Sequence, residues 1–220
     1  MPTITQLSDS KRGPNRKRVY LDGAFAFSLN LNVIAKFRLR EGLELTEEQV
    51  ERIRKGEVRQ ECFDYALRVL QTRLHSRAEL ARKLAKKEFP PEMTEEVLGE
   101  LARMGYVDDD RFAKTRAMSA AQYKHHGRRR AYQELLRTGV KRDVAERALN
   151  DVYSEDGVGA DQLSTARDLA RKKLPSLKRL DPVAAKRRLV GMLQRRGFDY
   201  ETIKPVIDEV LGRGADESAD

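Results

Sequence analysis

The sequence predicts a mainly α fold: three tandem three-helix repeats, preceded by a small N-terminal module of β-meander and helices. Three observations carry this reading. An apolar pattern spanning two helices and the turn between them occurs three times along the chain. Period-two apolar patterns are confined to the first thirty or so residues. Charged residues make up 36% of the 220-residue chain and Trp is absent, which suits helices packed in thin layers rather than one thick core.

The N-terminal module covers residues 1–58. Ile4 to Leu7, Lys17 to Leu21 and Phe25 to Leu29 each alternate apolar with polar residues, as half-buried strands do. Asp22-Gly23 joins the last two and signals a tight hairpin turn, since Gly tolerates positive φ. A short helix is expected near Asn32 to Phe37. Thr46 then caps a second helix ending near Lys55, with Glu47 and Glu48 in its first turn, where the helix dipole favours acidic groups. These helices are needed to cover one face of so small a sheet.

From about Arg59 onward strand signals vanish. Leu80, Leu84 and Phe89 recur 51 residues later as Ala131, Leu135 and Val140, and a further 58 residues on as Leu189, Leu193 and Phe198. The following helix keeps the register: Val97, Leu98 and Leu101 match Ala148, Leu149 and Val152, then Val206, Ile207 and Val210. Helical periodicity alone would not hold two helices and their turn in step three times. A further helix precedes each pair, over Glu61 to Thr72, Asp109 to Tyr123 and Asp161 to Lys173. The middle helix stops at Gly139 and Gly197 in the second and third units, where a left-handed cap needs glycine. The first unit has Glu88 there, and Pro90-Pro91 is expected to end its helix instead. The repeats are therefore placed at residues 59–109, 110–153 and 161–212. Residues 154–160 form a linker, and residues 213–220 read as a disordered acidic tail.

Composition narrows the function classes. The net charge is +9, from 44 Lys and Arg against 35 Asp and Glu. Residues 110–153 carry 11 basic and 5 acidic groups and residues 161–214 carry 13 and 7, whereas residues 59–109 carry 9 and 10. A positive field on the C-terminal half favours an acidic partner, nucleic acid included. The single Cys62 excludes an internal disulfide and reads as a small core residue. No secretory signal and no bilayer-spanning run is visible, so a cytoplasmic protein without membrane contact is expected.

Catalytic signatures are missing. Neither G-x-x-x-x-G-K-[ST] nor G-x-G-x-x-G occurs, so no phosphate cradle is legible. His75 stands alone and His125-His126 are adjacent, which cannot supply a zinc site from one helix face. Asp108-Asp109-Asp110 opens a helix and reads as cap and dipole partners rather than metal ligands. No cofactor, metal or catalytic residue is expected, and the chain is expected not to be an enzyme.

The basic clusters remain. Lys86-Lys87, Arg128-Arg129-Arg130, Lys186-Arg187-Arg188 and Arg195-Arg196 lie on or beside middle helices. The register groups them into two rows, Arg77, Arg128 and Lys186 in one, Lys86, Arg137 and Arg195 in the other. Nine residues separate the rows, half a turn in azimuth, so at most one faces a given groove directly. A helix–turn–helix reading of RAYQELLRTGVKRDVAERAL is also open, though Arg142 to Tyr153 holds few side chains suited to base edges.

The combination of LDGAFAF, LREGLELTEEQVE, ALRVLQTRLHSRAELARKL, LARMGYVDDDRFA, GRRRAYQELLRTGV and RRGFDYETI resembles the RecX family of bacterial regulators. The resemblance implies repeats in an extended, curved array that bind the groove of the RecA–single-stranded DNA filament. It implies lowered recombinase, ATPase and co-protease activity. The basic clusters and register rows supply the expected contact set, the twelve residues Arg77, Lys86, Lys87, Arg128, Arg129, Arg130, Arg137, Lys186, Arg187, Arg188, Arg195 and Arg196. A monomer is expected, with direct contact to single-stranded DNA open. The alternative reading is an independent DNA-binding protein, repressor or non-specific.

Overall fold

A computed structural model describes residues 1–11 and 13–212, so the acidic tail at 213–220 lies outside the described residues. Three antiparallel strands, β1 (Ile4–Asp9), β2 (Arg16–Leu21) and β3 (Ala24–Asn30), pair in the order β1-β2-β3. The hairpin turn has positive φ at both Asp22 and Gly23. The Asp22 carboxylate accepts from the Thr3 N–H at 2.9 Å, tying β1 to the turn. Val19 and Leu29 turn one face inward onto Val33, Leu45 and Ile53.

Helix α1 (Leu31–Lys36) starts from an Asn30 side-chain cap. Helix α2 (Glu47–Leu70) opens on a capping box between Thr46 and Gln49. This helix corrects the sequence reading. Helices expected to end near Lys55 and to restart at Glu61 are one 24-residue helix, running straight through residue 58. Gly56 does not break it, because the Phe37 ring occupies the place of a side chain: a Cβ there would lie 2.7 Å from Phe37 Cε2. Ile53 faces the sheet's core, whereas Cys62 and Ala66 face the core of the first repeat.

The remaining helices are α3 (Arg77–Ala85), α4 (Pro91–Arg103), α5 (Asp109–Gln122), α6 (Arg128–Thr138), α7 (Arg142–Val152), α8 (Gln162–Lys173), α9 (Pro182–Arg195) and α10 (Tyr200–Leu211). A 3-10 turn, Leu174–Leu177, follows α8. The chain forms two compact units. One holds Met1–Leu74 with Leu80–Val107; the other holds His75–Glu79 with the described residues from Asp108 to Gly212.

The three middle helices end identically. The N–H of Phe89, Val140 and Phe198 donates to the carbonyl of Leu84, Leu135 and Leu193 at 3.4, 3.3 and 3.3 Å. The preceding residue, Glu88, Gly139 or Gly197, donates three residues back at 2.9 Å in each case. This is the Schellman pattern, and it needs a left-handed residue. Glu88 supplies one at φ +61°, beside +87° and +88° for the two glycines. The expectation that Pro90-Pro91 ends α3 by a different route is thus corrected; Pro91 instead begins α4.

Candidate functional site

Helix α6 has no side-chain N-cap, since Gly127 occupies that position. Its free N–H groups are satisfied by the end of α9. Gly127 donates to the Arg196 carbonyl at 2.8 Å and Arg129 to the Gly197 carbonyl at 3.3 Å. Gln162 Oε1, at the start of α8, takes the Arg128 N–H at 3.2 Å. The positive end of one helix dipole therefore meets the negative end of the other, and orphan donors and acceptors cancel. The approach requires two glycines: a Cβ on Gly127 would lie 2.4 Å from the Gly197 carbonyl oxygen, and one on Gly197 would lie 2.3 Å from Arg130 N.

Ser76 stands 51 residues before Gly127 and belongs to the same unit. Its hydroxyl accepts from Glu79 N at 3.0 Å and donates to the Thr138 carbonyl at 2.7 Å. Thr138 is itself equivalent to Arg196, so the contact between helix ends recurs.

Two arginines complete the joint of α6 with α9. Arg130 Nη1 donates to the Arg195 carbonyl at 2.7 Å, and Arg196 Nη1 to the Lys124 carbonyl at 2.8 Å. Glu134 beneath them accepts from Lys124 Nζ at 2.9 Å and lies 3.1 Å from His126 Nδ1 and 3.6 Å from Arg130 Nε. Burial raises the Glu134 carboxyl, but the Lys124 hydrogen bond and the surrounding positive charges outweigh it and leave it below the ordinary value. Burial lowers His126; Glu134 opposes this, while Arg130, Lys124 and Arg196 add to it.

The joint leaves a groove of about 820 Å³ beside it, lined by Arg129, Arg130, Arg137, Arg195, Glu134 and Tyr200 among others. The two sequence rows separate here. Arg77, Arg128 and Lys186 are all half-buried, whereas Lys86, Arg137 and Arg195 are all exposed. Arg128 is occupied by Glu146 and Asn150, each at 2.7 Å, and the Arg77 N–H by Asp109 at 2.8 Å. Arg137 and Arg195 reach the groove, and neither Arg128 nor Lys186 does.

The other candidates divide in the same way. Arg130 and Arg196 serve the joint. Lys87 lies 5.7 Å over the Tyr65 ring. Lys86, Arg129, Arg187, Arg188 and Arg195 are exposed, with side chains in no ion pair among the described residues. Tyr200, 70% exposed at the start of α10, was not singled out from the sequence. A Tyr after a capping Asp carries no periodic signal, and only the joint brings it beside the arginines.

In the acidic triplet Asp108 caps α5, and Asp109 and Asp110 stand in its first turn. Asp108 accepts from Arg111 N at 2.9 Å, Asp109 from Arg77 N, and Asp110 from Arg147 at 2.9 Å. Arg147 of the helix–turn–helix reading is thereby occupied. Among the described residues no group of three or more His, Cys, Asp or Glu is placed to hold a metal, and no helix is long and apolar enough to cross a membrane.

Family models match in chain order: the RecX N-terminal domain at residues 2–46, and the first, second and third RecX three-helix domains at 62–101, 108–149 and 160–207. Regulatory protein RecX of Bacillus subtilis (strain 168) is 30% identical over 210 residues, covering 96% of this chain and 78% of that protein. The chain belongs to the RecX family of regulatory proteins. The RecX protein of Chlorobaculum tepidum is 37% identical over 151 residues, covering 69% of this chain and 89% of its own. A crystal structure titled regulatory protein RecX superposes with a TM-score of 0.77 at 22% identity, covering 94% of this chain and all of that one. RecX from Lactobacillus salivarius gives 0.62 at 20% identity, over 70% and 97%. These two show the shared fold. The RecX repeats thus coincide with the recurring helix-end pattern, and the regulatory role is that of the family.

Proposed function

We propose that this chain regulates RecA by binding the RecA–single-stranded DNA filament through the groove beside the α6–α9 joint. It acts by binding rather than by chemistry, as a monomer in the cytoplasm, and mostly inhibits, lowering ATPase, strand-exchange and co-protease activity. The observation that carries this is the exposed arginine set, Arg129, Arg137 and Arg195, held around one groove by a joint that occupies Arg130 and Arg196, while Arg128 is occupied inside its own repeat. The joint fixes the backbones that carry Arg129 and Arg195, so their charges are gathered at one groove before a partner binds. Several weak contacts along a repetitive filament then add through effective concentration.

The test is to add the protein to RecA on single-stranded DNA and follow ATP hydrolysis and co-sedimentation. Slower hydrolysis with the protein in the filament pellet is expected. An unchanged rate with no protein in the pellet overturns the reading. Sequence-selective binding to naked duplex, without RecA, would point instead to an independent DNA-binding protein, which salt titration separates from non-specific attraction.

A further inference from the structure

We infer that the outward face of the N-terminal sheet is a stacking platform for single-stranded DNA, built from residues other than those of the α6–α9 groove. It stands independently of the RecA reading.

The inner face, with Leu7, Val19, Phe27 and Leu29, packs onto the module's core. The strand register leaves two cross-strand rows on the other face. Ser8, Arg18 and Ser28 form one; Gln6, Tyr20 and Phe25 form the next. A bulge between Val19 and Tyr20 pairs Tyr20 with Phe25 rather than Ala26. It places the two rings edge to face with centroids 5.9 Å apart. The Arg18 guanidinium lies 5.0 Å from the Phe25 centroid and 5.3 Å from that of Tyr20. Phe25 is nonetheless 53% exposed. No strand residue of these two rows is acidic.

The charges around the platform are not equivalent. Arg16 is matched by Glu57 at 2.7 Å and Glu61 at 3.1 Å, and Lys17 by Asp9 at 3.0 Å. Arg18 and Lys11 have no carboxylate partner among the described residues. Both line a groove of about 560 Å³ together with Phe25, Phe27 and Ser28; Glu57 and Glu61 also line it, but with their charge taken up by Arg16. An aromatic face beside unmatched cations and short hydroxyls suits an unstacked base with its phosphate. A duplex buries its base faces and could not use Phe25. An acidic peptide could be held by Arg18 and Lys11 alone and would leave Phe25 without a role.

The test uses the full chain and a labelled oligo-dT of about 12 nucleotides, a length within the usual site sizes, read by fluorescence anisotropy at low salt. The same series is run in an Arg129→Glu/Arg195→Glu background, so that binding at the other groove is removed. Phe25→Ala is expected to weaken binding by at least about fivefold in both backgrounds, the loss typical of one stacked base. Phe25→Tyr, which keeps the ring, restores it. Ultraviolet cross-linking is expected to map to residues 16–30. Should Phe25→Ala melt early, Arg18→Gln is the second variant, with the same direction expected. The inference is overturned if both variants bind within about twofold of the parent, if no cross-link falls in residues 16–30, if oligo-dT does not bind, or if duplex or polyglutamate competes equally well. Co-sedimentation of Phe25→Ala with RecA filaments reports on the other reading separately.

Discussion

Three glycine substitutions separate two physical costs in this chain. Gly105 has φ +74° and open space where a Cβ would go, so Gly105→Ala meets only the left-handed strain. Gly127 has φ −68° but would set its Cβ 2.4 Å from the Gly197 carbonyl oxygen, so Gly127→Ala meets only the clash. Gly197 has φ +88° and would set its Cβ 2.3 Å from Arg130 N, so Gly197→Ala meets both. Left-handed strain costs about 1–2 kcal/mol, partly offset because alanine lowers the entropy of the unfolded chain. Forcing a methyl into a filled site costs about 1–3 kcal/mol. Both contacts at the joint are backbone atoms, which cannot rotate away. Expected losses are therefore about 1 kcal/mol for Gly105→Ala, about 1–3 for Gly127→Ala and about 2–4 for Gly197→Ala. Urea unfolding followed by circular dichroism at 222 nm measures all three. Gly127→Ala within about 0.5 kcal/mol of the parent would refute the close helix-end joint, since that is the range of an ordinary surface change.

Two further outcomes follow from local geometry. Glu88→Gly should stabilise the chain by up to about 1 kcal/mol, the left-handed strain relieved less the entropy glycine adds; a destabilisation on thermal melting would contradict the cap assignment. His126 and Glu134 both have folded values below their ordinary ones. The unfolded chain then binds more protons, so stability should fall as pH drops below about 6.5, and further through the carboxylate range. His126→Gln should flatten the part of the pH–stability profile between about 7 and 5, measured by urea unfolding, and an unchanged slope there would remove His126 from the effect.

The repeats were legible because Leu80, Leu84 and Phe89 and their counterparts occupy equivalent positions whose burial the fold preserves; only Phe89 of the middle-helix set is half-buried. The length of α2 was not legible. The helix expected to end near Lys55 continues through Gly56, which Phe37 covers, and it changes the core it faces partway along. The basic rows were visible as periodicity, but which of them is exposed depends on Glu146 and Asn150 occupying Arg128. The joint left only two glycines, Gly127 and Gly197, in the sequence, because backbone carbonyls of another helix replace the side-chain cap. The Arg18, Tyr20 and Phe25 cluster required strand register, including a bulge that alternation alone does not reveal.

The most direct test of the account is charge reversal at two exposed groove residues whose side chains are in no ion pair among the described residues. Arg129→Glu/Arg195→Glu is compared with Arg128→Glu, which breaks an ion pair inside the repeat. RecA-dependent ATP hydrolysis on single-stranded DNA is measured with each protein, alongside its melting temperature. The account predicts that the double variant loses its effect on hydrolysis by at least about tenfold in the concentration needed, through removal of two charge contacts, with an unchanged melting temperature. Full suppression of hydrolysis by the double variant at parental concentrations would contradict it.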